Sequence, residues 1–211
     1  MFDDLGYFFV RALTSLPAII IAMVIHEWAH ARTAYALGDP TPKMMGRLTL
    51  NPAAHVDLLG LLMLFIVHFG WAKPVQINPY NFSNPRRDDI LVSLAGPFSN
   101  FAVAFLTLIF MIVLVKMGVP MSEGMQLVFS SIMIININFG IFNLIPIPPL
   151  DGYHVLKQIL PYELAEKLEG LERYSFLILI IILMTPIISV IFVPMQRFIL
   201  GIFQGIVGIF L

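Results

Sequence analysis

A His-Glu-Trp-Ala-His segment near the start of the chain has the residue types and spacing of a metal-dependent hydrolase. His26 and His30 are four residues apart, so on a helix both imidazoles lie on one face and can bind the same Zn²⁺. Glu27 stands beside them as a candidate general base for an attacking water. The pattern predicts zinc-dependent peptide hydrolysis, with two histidine ligands and Glu27 as a catalytic residue.

The motif lies within a long apolar run, and the composition of the whole chain is that of a membrane protein. Of the 211 residues, 59% are apolar and only 12% are charged. Soluble domains average about half apolar and about a quarter charged. A net charge of −1 argues against a nucleic-acid partner, and the lack of cysteine excludes disulfides and thiolate ligands. We expect the lipid bilayer to be the main partner.

The apolar runs predict a polytopic α-helical membrane protein with about four to six membrane segments. A shorter run, Leu58 to Trp71, is too short for an ordinary span and predicts a re-entrant or interfacial piece. Two short stretches closed by turn residues, Met44 to Leu50 and Lys73 to Asn78, predict a membrane-edge β hairpin or sheet. The membrane-length runs are at about 8–37, 90–116, 125–145 and 174–194.

No boundary between domains is visible in the sequence. We therefore expect one integral membrane metalloprotease domain over residues 1–211, with a catalytic core at about 8–160 and C-terminal helices at about 174–211. The last apolar piece, Phe198 to Leu211, is punctuated by glycine and predicts an interfacial position.

Two histidines leave a catalytic zinc one protein ligand short, since such a site usually takes three and keeps the fourth place for water. Asp151 is the best-placed acid, because it follows three prolines that stop the preceding helix and leave irregular backbone beside a carboxylate. Capping statistics alone favour another role for Asp151, as N-cap of the next helix. Because His26 and His30 lack a third ligand, we favour Asp151 as the third metal ligand.

Three ordered motifs together resemble the site-2 protease family of intramembrane zinc metalloproteases (peptidase family M50). They are His26–His30, Ser93–Asn100 (SLAGPFSN) and Phe142–Gly152 (FNLIPIPPLDG). The resemblance implies one Zn²⁺ held by His26, His30 and Asp151, with Glu27 activating the water. The chain shows no PDZ-like insertion and no CBS-type domain, so it resembles a minimal form of the family.

The resemblance also implies a role for Asn143 in holding the substrate carbonyl or oxyanion, and a membrane-embedded helical protein or peptide as substrate. Such a helix must be unwound before its amide bonds can be cut. An exposed edge of either predicted strand could hold it by strand addition. For Asn136 and Asn138 we favour hydrogen bonds between membrane helices over a place in the site.

The distribution of basic residues predicts that the active site opens towards the cytoplasm. If the segment Leu58 to Trp71 does not cross, nine Lys and Arg residues lie on the metal side and three on the other. If it crosses, the split is seven against five and the orientation stays open. In the first arrangement, the three basic residues on the side away from the metal are Arg11, Lys116 and Arg197.

Two other classes of function use the same residues. A metal transporter would also place His and Asp in the membrane, although its ligands would more typically be spread along a path. A catalytically idle scaffold would keep the fold and bind membrane helices. We interpret His55, His68 and His154 as packing or solvated residues outside the site.

Overall fold

A computed structural model describes residues 2–67 and 70–210, and this part of the chain is mainly helical. The helices are α1 (Phe2–Ala36), α2 (Thr41–Met44), α3 (Pro52–His55), α4 (Leu58–Val67), α5 (Pro85–Lys116), α6 (Glu123–Asn143), α7 (Asp151–Ile159), α8 (Tyr162–Glu172), α9 (Ser175–Leu183) and α10 (Ile187–Phe210).

Among the described residues, three helical stretches are long and apolar enough to cross a membrane, by length and composition: Pro85–Lys116, Glu123–Asn143 and Val190–Ile209. The first two coincide with the predicted runs at 90–116 and 125–145. The predicted run at 174–194 is not one continuous helix, because α9 ends at Leu183 and α10 begins only after Pro186. The C-terminal piece is not a separate interfacial element, since through Phe210 it continues α10.

The predicted β hairpin is also wrong, because no strand forms within residues 2–67 and 70–210. The only β-pairing found there is an isolated antiparallel bridge between Val56 and Ala72. The first predicted strand, Met44 to Leu50, instead begins at the last residue of α2 and turns at Gly46. The φ of Gly46 is +69°, which favours glycine. Lys73 to Asn78 lacks a neighbouring chain for a ladder of hydrogen bonds, which a strand requires.

The segment between Val56 and Ala72 leaves the bundle edge and returns to the same place. Helix α4 has ten residues, about 15 Å at 1.5 Å per residue, which is half of a hydrocarbon core of about 30 Å. A Cβ on Gly60 would lie 3.0 Å from the Trp71 ring, and one on Gly70 would lie 2.8 Å from Leu64. The two ends therefore pack together, as the re-entrant interpretation expects. His68 lies outside the described residues.

Helices α1, α5 and α6 pack against one another, and α10 covers the outer side of α6. The apolar contact between α5, α6 and α10 is formed by Ala104, Ile137, Ile141 and Phe203. Polar bonds cross the same bundle. Asn136 Oδ1 accepts from Asn100 Nδ2 at 3.0 Å, and Asn138 Oδ1 accepts from Gln196 Nε2 at 3.0 Å. The predicted interhelical hydrogen bonds of Asn136 and Asn138 are confirmed.

Helix α7 begins beside the end of α6 because the connecting loop folds back tightly. A Cβ on Gly152 would lie 2.7 Å from the carbonyl oxygen of Ile145, so only glycine allows this approach. The far end of α7 is tied to α5, where the Arg86 guanidinium donates to Leu160 O at 2.7 Å and to Gln158 O. Gln158 Nε2 also donates to Asp89 at 2.7 Å. The position of Asp151 is thus fixed from both ends of α7.

Single cysteines test this topology directly, because the chain has none of its own. In sealed vesicles, Ala53→Cys and Gln76→Cys should react with a membrane-impermeant maleimide from the same side, since the chain returns between them. Val119→Cys, beyond the candidate span α5, should react from the other side. Reaction of the first two from opposite sides would show that residues 58–71 cross the membrane.

Candidate metal centre

Two buried histidines on α1 and the first residue of α7 meet in the helix bundle. His26 Nε2 and His30 Nε2 are 3.0 Å apart, and Asp151 Oδ2 lies 3.1 Å from the first and 3.3 Å from the second. His26 and His30 are only 3% and 7% exposed. The residues predicted as metal ligands are therefore brought together from positions more than 120 residues apart.

The spacing and chemistry of these three atoms fit a tetrahedral metal ion. Donors that each lie about 2.1 Å from a tetrahedral zinc are roughly 3.3 Å from one another. Asp151 Oδ2 is buried, and no hydrogen-bond donor meets it within the described chain. An unpartnered carboxylate oxygen is costly in an apolar bundle, and a cation among these atoms supplies the missing partner. Two imidazoles and one carboxylate form a ligand set common at catalytic zinc.

The outer nitrogens of both imidazoles are held in the protonation state that a metal site requires. His30 Nδ1 lies 2.7 Å from Val92 O, which can only accept, so Nδ1 carries the proton. His26 Nδ1 lies 2.7 Å from Asn100 Oδ1. The amide nitrogen of Asn100 donates to Ala22 O and to Asn136 Oδ1, which fixes its oxygen towards the histidine. Both Nε2 lone pairs are therefore free to bind a metal.

Gly96 on α5 makes room for the two imidazoles. A Cβ at this position would lie 2.6 Å from His26 Cε1 and would also collide with His30 Nε2. Glycine lets the backbone of α5 approach α1 closely, so that Val92 and Asn100, one turn to either side, reach the Nδ1 atoms. The Ser93–Asn100 motif thus packs directly against the two imidazoles.

The alternative role of Asp151 as a helix cap does not occur. The N-cap position of α7 is Leu150, and no side chain caps this helix. Asp151 is the first helical residue, and its carboxylate lies against the histidines instead of its own backbone.

Glu27 is buried beside the ligand set and has one backbone partner. Its Oε2 accepts a hydrogen bond of 3.0 Å from the amide of Val75, which lies in the segment between α4 and α5. The side chain is 9% exposed. A carboxylate fixed in this way, next in sequence to a metal ligand, can serve as a general base.

Asn143, His55 and His154 do not join the cluster of His26, His30 and Asp151. Asn143 is the last residue of α6, and its Nδ2 donates 3.0 Å back to Phe139 O. The Phe139 ring is 4.9 Å from the His26 ring, so Asn143 lies about one helical turn beyond a residue that touches the site. His55 is buried with Nε2 on Thr49 O, and His154 is exposed on α7.

Sequence reasoning missed the residues that orient the site. Asn100 is part of the Ser93–Asn100 motif, and a polar side chain in an apolar helix could have indicated a role in the site. The Val92 carbonyl and the Val75 amide are backbone groups, which no residue type reveals.

Comparison with known proteins gives a consistent result. The sequence profile described as Peptidase family M50 matches residues 111–186. "Putative zinc metalloprotease YwhC" of Bacillus subtilis is 36% identical over 196 residues, which cover 89% of this chain and 90% of the relative. "Putative zinc metalloprotease Rip2" of Mycobacterium tuberculosis is 32% identical over 176 residues, 81% of this chain and 66% of the relative. No solved structure matches significantly. The cofactor of this chain is Zn²⁺.

Replacing Asn100 with alanine should weaken zinc binding about 10-fold to 100-fold, the usual effect of losing a partner that orients a ligand. The reason is that His26 would no longer be held with Nδ1 protonated. The measurement is zinc affinity by competition with a chelator. Asn138→Ala removes a comparable amide from the same bundle and should leave the affinity unchanged. Equal losses in both variants would contradict an orienting role for Asn100.

Replacing Gly96 with alanine should remove zinc from the purified protein, since the new Cβ collides with both imidazoles. Gly124→Ala is the matched control, because a Cβ there meets nothing within 4 Å. Zinc per chain, measured by atomic emission, checks both. A Gly96→Ala protein that kept one zinc per chain would contradict the close approach of α5 to the ligands.

Proposed function

The chain belongs to peptidase family M50, the site-2 protease family, and on that premise we propose that this zinc metalloprotease cuts membrane-embedded helical substrates within the membrane. The observation that carries the proposal is the meeting of His26, His30 and Asp151 at 3.0–3.3 Å inside a bundle that includes candidate membrane spans. A buried ligand set of this kind is reached by a substrate that itself lies in the membrane.

In this proposal the three side chains hold one zinc ion and Glu27 moves the proton. When bound, zinc lowers the pKa of water and polarises the carbonyl of the peptide bond. Glu27 accepts the proton of the attacking water and passes it to the leaving amine. The Val75 amide holds Glu27 Oε2, so its other carboxylate oxygen is left to face the water.

Asn143 is proposed to stabilise the oxyanion that forms during hydrolysis. An Asn amide has two donor protons, and one of them is used on Phe139 O. The second has no acceptor among the described residues. A donor fixed near developing charge accelerates such reactions strongly. The location of Asn143 at the end of α6, before the loop that leads to Asp151, supports this assignment.

The segment from Ala72 to Asn78, which we call the strap, is proposed to present the substrate. Within the strap, the side chains of residues 73, 75 and 77 are partly buried and those of 74 and 76 are exposed. Alternation of this kind is typical of extended backbone. An unwound substrate that paired with the strap would lie beside Glu27. The proposal retains Lys73 to Asn78 as a substrate-binding segment. It excludes Met44 to Leu50, because that segment turns at Gly46.

The site is proposed to open towards the cytoplasm. The bridge between Val56 and Ala72 supports a return of the segment between them to its starting side, and in that arrangement the nine Lys and Arg residues of the charge count lie on the metal side. Arg197 falls within the candidate span Val190–Ile209 and leaves the opposite side with only Arg11 and Lys116. An excess of this size is typical of the cytoplasmic face.

Glu27→Gln should retain one zinc per chain and lose cleavage of single-span substrates reconstituted with the protein, because the base is removed and the ligands remain. Asp151→Ala should lose zinc and cleavage together. Glu123→Gln, at the exposed start of α6, is the control and should cleave normally.

Cleavage by Glu27→Gln at the wild-type rate would overturn the assignment of the base. Wild-type protein that holds zinc and cuts soluble unfolded peptides, but no membrane-embedded substrate, would overturn the intramembrane proposal and leave the metalloprotease intact.

A further inference from the structure

The strap is fixed to the protein at both ends. At its start, Ala72 forms a bridge with Val56, and the Lys73 amide donates 2.8 Å to His55 O. The Arg47 guanidinium also reaches Lys73 O at 3.2 Å. At its end, the amide of Asn78 donates 2.8 Å to Asp39 Oδ2. Between these anchors, the Val75 amide contacts Glu27.

Asp39 is the anchor of the second end, and its environment is unusual for a carboxylate. It is 0% exposed and follows the C-terminus of α1. Its Oδ1 accepts from Asn81 Nδ2 at 2.7 Å, from Thr41 Oγ1 at 2.6 Å and from the Thr41 amide at 3.0 Å. Burial by itself raises the pKa of Asp39, but these hydrogen bonds and that of Asn78 lower it below the ordinary value. The side chain is therefore charged at neutral pH.

Two of the hydrogen bonds of Asp39 are not needed to form the local turn. The bonds to Thr41 would suffice to shape the turn after α1, as they do in ordinary Asx turns. The bonds to Asn78 and Asn81 join residues about 40 positions apart in sequence. They tie the end of the strap to the turn that directly follows α1, the helix that carries Glu27.

We propose that Asp39 is a positioning residue for the general base: it holds the end of the strap at Asn78 and the turn just beyond it at Asn81, so that the Val75 amide stays bonded to the Glu27 carboxylate. The inference rests on the proposed function, since it assigns Glu27 the role of base. Asp39 touches neither the metal ligands nor the reacting atoms. Its effect reaches the site only through the strap.

The test compares two pairs of variants. Asp39→Asn keeps the size of the side chain but offers only one acceptor oxygen, so the strap bonds weaken. Thr41→Val is its control, because it removes a bond to Asp39 and leaves the strap bonds in place. Val75→Pro removes the donor to Glu27. Met121→Pro is its control, since Met121 lies in the loop between α5 and α6, outside the strap, and its amide has no partner among the described residues.

Two readouts are needed. Hydrogen exchange of the strap, by mass spectrometry of overlapping peptides, reports the contact without any need for activity. Cleavage rate per site, with sites counted by titration with a tight zinc-binding hydroxamate, separates slow sites from lost ones. Zinc content should remain one per chain in all four variants.

We expect faster exchange of the strap in Asp39→Asn and a rate per site lower by about 10-fold to 100-fold, with a similar fall in Val75→Pro. The two controls should stay near the wild-type rate. The double variant Asp39→Asn with Val75→Pro should be no slower than Val75→Pro alone, because both changes break the same contact.

Additive losses in the double variant, or unchanged strap exchange in Asp39→Asn, would overturn the proposal, as would an unchanged rate per site. Failure of the proposed function looks different: the wild type itself would cleave nothing. Strap exchange in Asp39→Asn and in Glu27→Ala would then still decide whether Asp39 holds the strap on Glu27.

Discussion

A carboxylate and two imidazoles must be kept together inside a bundle of apolar helices, and most of the site follows from that constraint. Polar atoms removed from water need partners, and the penalty is large when they have none. Here the Nδ1 atoms are satisfied by Val92 O and Asn100 Oδ1, whereas Asp151 Oδ2 has no donor of its own. Asp151 Oδ2 converges with the two Nε2 atoms, and a metal ion among these three atoms supplies the partner that the protein does not.

The ligands are held from several sides, because α1 alone cannot place the third one. Gly96 brings α5 against the histidines, and Gly152 lets the loop after α6 fold back so that Asp151 reaches them. Hydrogen bonds from Arg86 to the end of α7 link that helix to α5. The candidate metal ligands are thus held by contacts among α1, α5 and α7, and Glu27, the proposed base, is held by a different element.

That element is the strap, which connects function to the part of the chain with least regular structure. It is neither helix nor strand in the described chain, yet it is bonded at both ends and contacts Glu27 between them. A segment without regular secondary structure next to the proposed base suits the proposed task of accepting an unwound substrate. The same bonds that position the base would then position the peptide bond to be cut.

Much of this protein was determined by the sequence, because apolar length, composition and the spacing of His26, Glu27 and His30 act locally. Two predicted spans, the helical class and the zinc chemistry followed from them. The predicted strands failed because β-structure depends on a partner chain, and the predicted run at 174–194 is not one continuous helix because Pro186 separates two helices. Only the tertiary structure decided how Asn100, Gly96, Asp39 and the Val75 amide take part. Their roles depend on contacts between residues far apart in sequence, or on backbone groups that every residue has, so no local pattern encodes them.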